Sequence, residues 1–162
     1  MNRLLCTLAV ALALTLTSCN RNTLYSHYEH IPIEGWERSD TLNFRLTDIP
    51  QTGTYTEELG LRISTAFPYT ALTLIVSQQA KASDLERTDT LTARLTDDDG
   101  NLNGQGGIDH HQYAFTLSAV KLQQGDTLTI AVRHAMRRES LPGICELGIT
   151  VAQPDVQSFN LQ

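Results

Sequence analysis

The sequence predicts an all-β protein that folds as a single antiparallel β-sandwich of about seven to eight strands, jelly-roll or immunoglobulin-like. Three observations support this prediction. Apolar residues recur at every second position in seven separate blocks, polar and often β-branched residues lie between them, and turn-forming residues separate the blocks. An antiparallel sheet with one apolar face must cover that face, and a second sheet covers it in a sandwich.

The seven blocks lie between residues 42 and 151. In chain order their alternating apolar residues are Leu42, Phe44 and Leu46; Leu59, Leu61 and Ile63; Leu72, Leu74 and Val76; Leu91, Ala93 and Leu95; Tyr113, Phe115 and Leu117; Leu128, Ile130 and Val132; and Leu147, Ile149 and Val151. Glycine, proline and aspartate mark turns between the blocks, at 50–53, 67–69, 97–107, 125–126 and 142–143.

The composition describes one ordinary globular domain rather than a fibrous or low-complexity chain. Of 162 residues, 41% are hydrophobic and 19% are charged. Lys and Arg number 12 against 18 Asp and Glu, which gives a net charge of -6 at pH 7. An acidic chain has no general attraction for a phosphate backbone, so we expect no nucleic acid partner.

The first residues have the features of a bacterial lipoprotein signal. Arg3 precedes an apolar run over 4–16, which is shorter than the roughly 20 residues that a spanning helix needs. The run ends in Leu-Thr-Ser-Cys at 16–19, which resembles the lipobox of lipoprotein precursors. This resemblance implies cleavage before Cys19 and acylation of that cysteine, for example with palmitate, so that lipid anchors the protein in a membrane.

These features predict three segments: a cleaved lipoprotein signal peptide over 1–18, a lipidated Cys19 with a flexible tether over 19–30, and a β-sandwich domain over 31–162. The tether is assigned because residues 20–30 are polar and lack periodicity. No acidic cluster of the kind linked to surface export follows Cys19. The resemblance therefore favours the periplasmic face of the outer membrane, with the cell surface as the alternative.

The three cysteines leave no intrachain disulfide in the mature protein. Cys6 is removed with the signal peptide and Cys19 carries lipid, so Cys145 has no partner. Alternation with Leu147 and Ile149 places Cys145 on the inward face of the last strand, as a small buried hydrophobic residue.

The loop from Asp97 to Gly107 is the sharpest polar motif. Asp99, Asn101 and Asn103 alternate as in calcium loops, and Gly104 takes the sixth position, but the twelfth position holds His110 instead of glutamate. This excludes an EF-hand and leaves a weak calcium alternative in which the ligands are Asp97, Asp99, Asn101 and Asn103. The favoured interpretation is a glycine-rich hairpin loop between the fourth and fifth predicted strands.

Three further side chains are candidates for contacting a partner. Trp36 precedes the first predicted strand and is expected to close one end of the sandwich, with a surface contact to a partner or sugar as the alternative. His134 continues the inward alternation of the sixth predicted strand and is expected to bond a loop carbonyl. Arg137 points outward and could make a forked contact to a carboxylate.

Short motifs are spread along the chain in a fixed order: the lipobox at Cys19; Trp36 ahead of Asp40; Gly53 and Tyr55 before Leu61 and Arg62; Phe67-Pro68-Tyr69 before Leu72 and Leu74; Asp89-Thr90-Leu91; Asp97 with Gly100, Gly104 and Gly106; His134, Met136 and Arg137; and Leu141 to Ile144 before Leu147-Gly148. Together they resemble the gliding-motility lipoprotein GldH family of diderm bacteria. The resemblance implies a lipoprotein linked to an envelope motility and secretion apparatus, and no known enzyme chemistry.

The residues themselves carry no catalytic motif. The sequence has no Gly-x-Ser-x-Gly, phosphate-binding loop or paired-cysteine zinc pattern, and acidic pairs such as Glu57 and Glu58 are common on sheet surfaces. We therefore expect a non-catalytic component or assembly factor of the envelope apparatus, with no cofactor and with other envelope motility or secretion proteins as partners. The alternative is a calcium- or glycan-binding β-sandwich module.

Overall fold

The computed structural model describes residues 22–153. The predicted signal peptide over 1–18, the lipidation site at Cys19 and residues 154–162 lie outside the described residues. Within them, the chain forms twelve strands and no helix. In chain order the strands are β1 (Thr23–His30), β2 (Trp36–Glu37), β3 (Leu42–Leu46), β4 (Gly53–Ser64), β5 (Ala71–Ala80), β6 (Leu85–Arg94), β7 (Gln105–Gly106), β8 (His110–Thr116), β9 (Val120–Leu122), β10 (Leu128–His134), β11 (Ser140–Leu141) and β12 (Ile144–Ala152).

The strands form two antiparallel sheets that pack face to face, and a short ribbon. The first sheet has the order β1-β12-β4-β8-β7, with β9 paired to β4, and the second has the order β3-β10-β5-β6. Strands β2 and β11 pair with each other. Four strands of the first sheet, in the order β1-β12-β4-β8, face the four strands of the second sheet. From β3 onward the chain crosses repeatedly between these two sets of four strands, which is the jelly-roll arrangement. The structure thus selects the jelly roll over the immunoglobulin-like alternative.

The seven strands predicted from alternation are all present, as β3, β4, β5, β6, β8, β10 and β12. The prediction of inward faces is confirmed most fully in the centre, where Leu59, Leu61 and Ile63 of β4 are 0% exposed. The edge strands β3 and β6 keep some of their apolar residues half-buried. The core therefore follows directly from the period of two in the sequence.

Strand β1 corrects the tether predicted for residues 19–30, because Thr23–His30 pairs with β12. The domain consequently begins at Thr23 and not at residue 31. Tyr28 shows why this polar segment is ordered: its ring lies flat over Gly148 and Gly60 on the outer face of the first sheet. A Cβ at Gly148 would lie 2.5 Å from that ring, and one at Gly60 would meet the Tyr28 hydroxyl. The absence of side chains at these two glycines thus leaves a flat surface on which Tyr28 packs, and alternation does not reveal it.

The loop over 97–107 also differs from its prediction. It does not close a hairpin, because β6 belongs to the second sheet and β8 to the first. The loop instead carries the chain across the sandwich, and its first part is closed by a bridge between Thr96 and Leu102. The notion of a hairpin assumed that successive strands are neighbours, which the jelly-roll topology breaks here.

Alternation predicted Cys145 on the inward face of β12, and this prediction is wrong. The register of β12 against β4 shifts between Ile144 and Glu146. This bulge lets Ile144 and Leu147 both enter the core, at 3% and 0% exposure, while Cys145 is only half-buried. One extra residue in a bulge reverses the parity of everything before it.

Candidate functional site

Trp36 and His134 close the end of the sandwich where β10 ends. Trp36 is 1% exposed and its indole N–H donates to the carbonyl of Asp40 at 3.2 Å. His134 is 0% exposed, meets the Trp36 ring edge-on at a centroid distance of 5.4 Å, and donates from Nε2 to the Trp36 carbonyl at 3.1 Å. Burial lowers the pKa of His134, although the bond to Trp36 acts in the opposite direction. His134 is therefore a neutral packing residue.

This geometry leaves both side chains without a surface for a partner. The structure places Trp36 and His134 together, as one closed end, and offers no support for the alternative in which they contact a ligand. Among residues 22–153, no hydrogen bond or ring contact joins this pair to the loop over 97–107. The candidate residues therefore form separate groups.

Asp97 organises its own loop. Its Oδ1 accepts the backbone N–H groups of Asn101 at 2.8 Å and Asp99 at 3.0 Å. These bonds hold the pKa of Asp97 below its ordinary value, and the bond from the backbone of Asn101 has the largest effect. The carboxylate of Asp97, one of the four ligands in the calcium alternative, is thus engaged by the turn, as an aspartate that caps a turn is expected to be.

The remaining loop candidates also have local contacts. The N–H of Asn103 donates to the carbonyl of Leu95 at 3.2 Å, and a Cβ at Gly104 would lie 2.6 Å from the ring of Tyr113. Gly104 is therefore required by close packing. Nowhere in the described part of the chain do three His, Cys, Asp or Glu side chains group as metal ligands.

Arg137 lies on the surface beside an open cleft of about 420 Å³. The cleft is on the outer face of the second sheet, where β10 runs out, and Arg137 forms part of its rim. Its lining residues are Tyr69, Thr73, Ala135, Met136, Arg137 and Arg138. Of the candidates singled out in the sequence, Arg137 combines an exposed side chain with a cleft.

A buried acidic residue was missed by the sequence analysis. Glu57 is 1% exposed and points between the sheets, where its Oε2 accepts the Nε2 of Gln78 at 2.5 Å and lies 3.8 Å from Arg87. Burial, above all, raises the pKa of Glu57 to about 7, against the opposing effects of Gln78 and Arg87. The assignment of Glu57 to the sheet surface was therefore wrong, whereas Glu58 is exposed as expected.

The parity of β4 contained the signal for this burial. Glu57 lies two positions before Leu59 and two after Tyr55, and both of these neighbours are fully buried. The charge of its partner Arg87 is further shared with Asp89, whose Oδ2 lies 2.8 Å from Nε, and with the carbonyl of Ser118 at 3.2 Å. Such inter-sheet polar contacts join distant strands and cannot be read from one strand alone.

The fold and these sites define an antiparallel β-sandwich domain whose buried polar groups serve packing. Residues 22–153 contain no helix that is long and apolar enough to cross a membrane. The chain belongs to the GldH lipoprotein family, whose model matches residues 23–151. It is also 24% identical over 147 residues to a gliding motility lipoprotein GldH homolog from Christiangramia forsetii, covering 86% of this chain and 89% of that relative. The resemblance inferred from the scattered motifs is thereby confirmed.

Solved structures of β-sandwich domains resemble the fold remotely. A family 35 carbohydrate binding module from Clostridium thermocellum has 15% identity and a TM-score of 0.43, over 82% of this chain and 90% of that one. A 4-O-methyl-alpha-glucuronidase with specificity for decorated arabinogalactans has 11% identity and a TM-score of 0.44, over 84% of this chain and 18% of that one. Neither likeness bears on what this chain binds.

Proposed function

We propose that the protein is an outer-membrane lipoprotein that acts as a non-catalytic component or assembly factor of a gliding-motility and secretion apparatus. Lipid on Cys19 holds the β-sandwich at the periplasmic face of the membrane. The observation that carries this proposal is the coincidence, in one chain, of a lipobox at 16–19 and a GldH lipoprotein domain over 23–151.

The distance between the anchor and the fold is consistent with this role. Because β1 begins at Thr23, only three residues separate Cys19 from the first strand. A connection this short spans roughly 10–15 Å when extended and keeps the domain close to the membrane. A long tether would let the domain sample distant partners, whereas this one favours a fixed place within an assembly.

The polar groups of the domain support a structural role. Each of three candidate side chains makes a hydrogen bond to the backbone of the domain itself: Trp36, His134 and Asp97. Glu57 is paired with Gln78 and Arg87 between the sheets, away from solvent. A catalytic acid must reach a substrate, so a carboxylate enclosed in this way is better explained by the architecture than by chemistry on a ligand.

The anchor is tested by replacing Cys19 with alanine and comparing the variant with Cys145→Ala, which removes the half-buried thiol of β12. We expect metabolic labelling with palmitate to be lost in Cys19→Ala and kept in Cys145→Ala. Density-gradient fractions should contain the labelled protein in the outer membrane. Labelling that persists in Cys19→Ala, or a protein that fractionates with the inner membrane, would refute the anchoring part of the proposal.

The role in an assembly is tested by capturing tagged full-length protein from cross-linked envelopes. We expect motility or secretion proteins to co-purify with the Cys145→Ala control and to be absent with Cys19→Ala. Protease treatment of intact cells should leave the domain uncut if it faces the periplasm. Capture of no such protein by the anchored form would contradict the assembly role, and cleavage in intact cells would place the domain at the cell surface.

A further inference from the structure

The cleft beside Arg137 has a floor that is held in place before any ligand arrives. Tyr69 packs edge-to-face on Phe67, with ring centroids 5.5 Å apart and planes at 68°. Met136 lies in the floor because its sulfur accepts the backbone N–H of Thr73 at 3.5 Å. Both Tyr69 and Met136 are half-buried against the core. A preformed floor lowers the entropy cost of binding.

The rim of the cleft is cationic and uncompensated. Among residues 22–153, neither Arg137 nor Arg138 lies within 4.0 Å of a carboxylate, and the same holds for the exposed Arg133 on the adjoining strand. Arg62, Arg87 and Arg94 each pair with an acid, whereas Arg38, Arg45, Lys81 and Lys121 are also without a carboxylate within 4.0 Å among the described residues. The rim differs from these scattered cations because Arg133, Arg137 and Arg138 lie within six consecutive positions. In a chain with a net charge of -6, this concentration of positive charge marks a place where negative charge from outside can bind.

We propose that this cleft binds an acidic segment of a partner polypeptide. The guanidinium groups of Arg137 and Arg138 receive its carboxylates in forked hydrogen bonds, and its apolar side chains rest on Tyr69 and Met136. The charge complementarity comes from the rim, and the apolar floor favours a polypeptide over a simple inorganic anion. The inference rests on the proposed function, because it supplies the contact through which the domain would join an envelope assembly.

The position of the cleft favours a protein over the lipid to which the chain is anchored. The domain begins at Thr23, which pairs with Ala152. Ala152 pairs in turn with Thr56 near the start of β4, so the chain enters the sandwich at the end where β4 begins. That end of the sandwich also holds Leu122, which pairs with Gly53 and leads into β10. The cleft lies past the other end of β10, a strand of 7 residues that spans roughly 20 Å. The rim therefore faces away from the end at which the anchor enters.

Binding is measured with full-length lipidated protein in detergent micelles. The probe is a fluorescein-labelled peptide of alternating glutamate and leucine, and its control replaces every glutamate with glutamine. We expect the glutamate peptide to bind and the glutamine peptide to bind at least about tenfold more weakly. Affinity should fall as sodium chloride is added, because the contacts are between exposed charges.

The double variant Arg137→Glu with Arg138→Glu should weaken binding of the glutamate peptide by at least about tenfold. Its matched control is Arg45→Glu with Lys121→Glu, which changes net charge equally at exposed positions away from the cleft. The control should bind within about twofold of the parent. Equal loss in both variants would show attraction to overall charge only, and unchanged binding in the first variant would remove the cleft from the interaction.

Two further outcomes would overturn the inference. Vesicles containing phosphatidylglycerol that compete with the peptide, and lose this ability in Arg137→Glu with Arg138→Glu, would assign the cleft to a lipid headgroup. In cross-linked envelopes, loss of partners in Cys19→Ala together with their retention in the double variant would reject the cleft while leaving the proposed function intact. Failure of the anchored parent itself to capture any motility or secretion protein would reject the proposed function.

Discussion

Asp126 and Glu57 are both buried carboxylic acids, yet their ionisation is affected in opposite ways. Asp126 is 4% exposed and Glu57 is 1% exposed. The pKa of Asp126 lies below its ordinary value of 3.8, whereas the pKa of Glu57 is raised to about 7. Burial disfavours the charged form of both, so the difference must come from the hydrogen-bond donors around each carboxyl group.

Asp126 precedes β10 and ties it to the turn between β5 and β6. Its oxygens accept the N–H groups of Ala82, Ser83 and Thr127 at 3.1, 2.9 and 2.8 Å, and the Ser83 hydroxyl at 2.6 Å. Burial, the largest influence, raises the pKa, but these bonds together outweigh it. They also hold a turn in which Asp84 has a left-handed φ of 50°.

Glu57 has fewer donors. Gln78 donates one hydrogen bond and Arg87 stands 3.8 Å away, while Oε1 has no hydrogen-bond partner among the described residues. The comparison teaches that a buried acid remains ionised where several N–H and O–H groups converge on it, and moves toward neutrality where they do not. Location in the core alone determines neither outcome.

The two acids should therefore give opposite pH dependence. A lowered pKa in the folded state stabilises the fold above the ordinary value, so the contribution of Asp126 is lost as pH falls below about 3.8. A raised pKa stabilises the fold at low pH. The contribution of Glu57 is fully present below 4.5 and is lost as pH rises through about 7.

The largest effect is expected for Asp126→Ala. Removing the carboxylate leaves three N–H groups and a hydroxyl, all in part-buried hydrogen bonds, without their acceptor, so the free energy of unfolding at pH 7 should fall by about 3 kcal/mol. Urea titration measures this change. The control is Asp109→Ala, which removes an exposed acid and should change little. If both variants lose equally, the convergence of donors on Asp126 has no special value.

The second largest effect on the free energy of unfolding is expected for Glu57→Gln. This variant keeps the shape but removes a charge that is buried at high pH. We compare the free energy of unfolding of the variant with that of the parent at each pH. This difference should shift in favour of the variant by roughly 2 kcal/mol from pH 5 to pH 8, because only the parent loses the Glu57 contribution. Urea titrations at both pH values measure the difference. Glu58→Gln, its exposed neighbour, should show no such gain, and a gain of the same size there would refute the assignment of this pH dependence to Glu57.

A smaller change sharpens the role of the donors. Gln78→Met approximately keeps the volume of the side chain but removes the N–H group that donates to Glu57, together with the Oε1 that accepts from Arg87. The pH at which the Glu57 contribution is lost should move above about 7, with a loss of about 1 kcal/mol at pH 8. The carboxyl carbon resonance of Glu57, followed by NMR through a pH titration, reports this midpoint. A midpoint that stays or falls would show that Gln78 does not stabilise the charged form.

Alternation revealed most of the fold because central strands have one buried and one wet face. It failed at β1, where Tyr28 lies on glycines of two other strands, and at Cys145, where a bulge shifts parity. Both failures involve contacts between strands that are distant in sequence. Of the candidate residues, His134 was placed correctly from its own strand, since the period of two continues to the end of β10.

The polar chemistry was harder to predict for the same physical reason. Glu57 has inward parity, but an acidic pair such as Glu57 and Glu58 is ordinarily assigned to a sheet surface, and the partners of Glu57 lie on β5 and β6. Asp126 could be assigned to a turn before a strand, yet the turn that it holds belongs to a different hairpin. Stabilisation of a buried acid depends on donors that only the folded chain assembles.

The smallest effect is expected at Asp97, which shares the donor pattern of Asp126 but is exposed. It accepts N–H groups of Asp99 and Asn101, yet water can replace them when the side chain changes. Asp97→Asn should therefore leave the thermal unfolding temperature unchanged within error. Adding about 1 mM calcium should also leave the parent unchanged, because the carboxylate is engaged by the turn. A calcium-dependent rise in the parent that Asp97→Asn abolishes would contradict both statements and restore a calcium site in this loop.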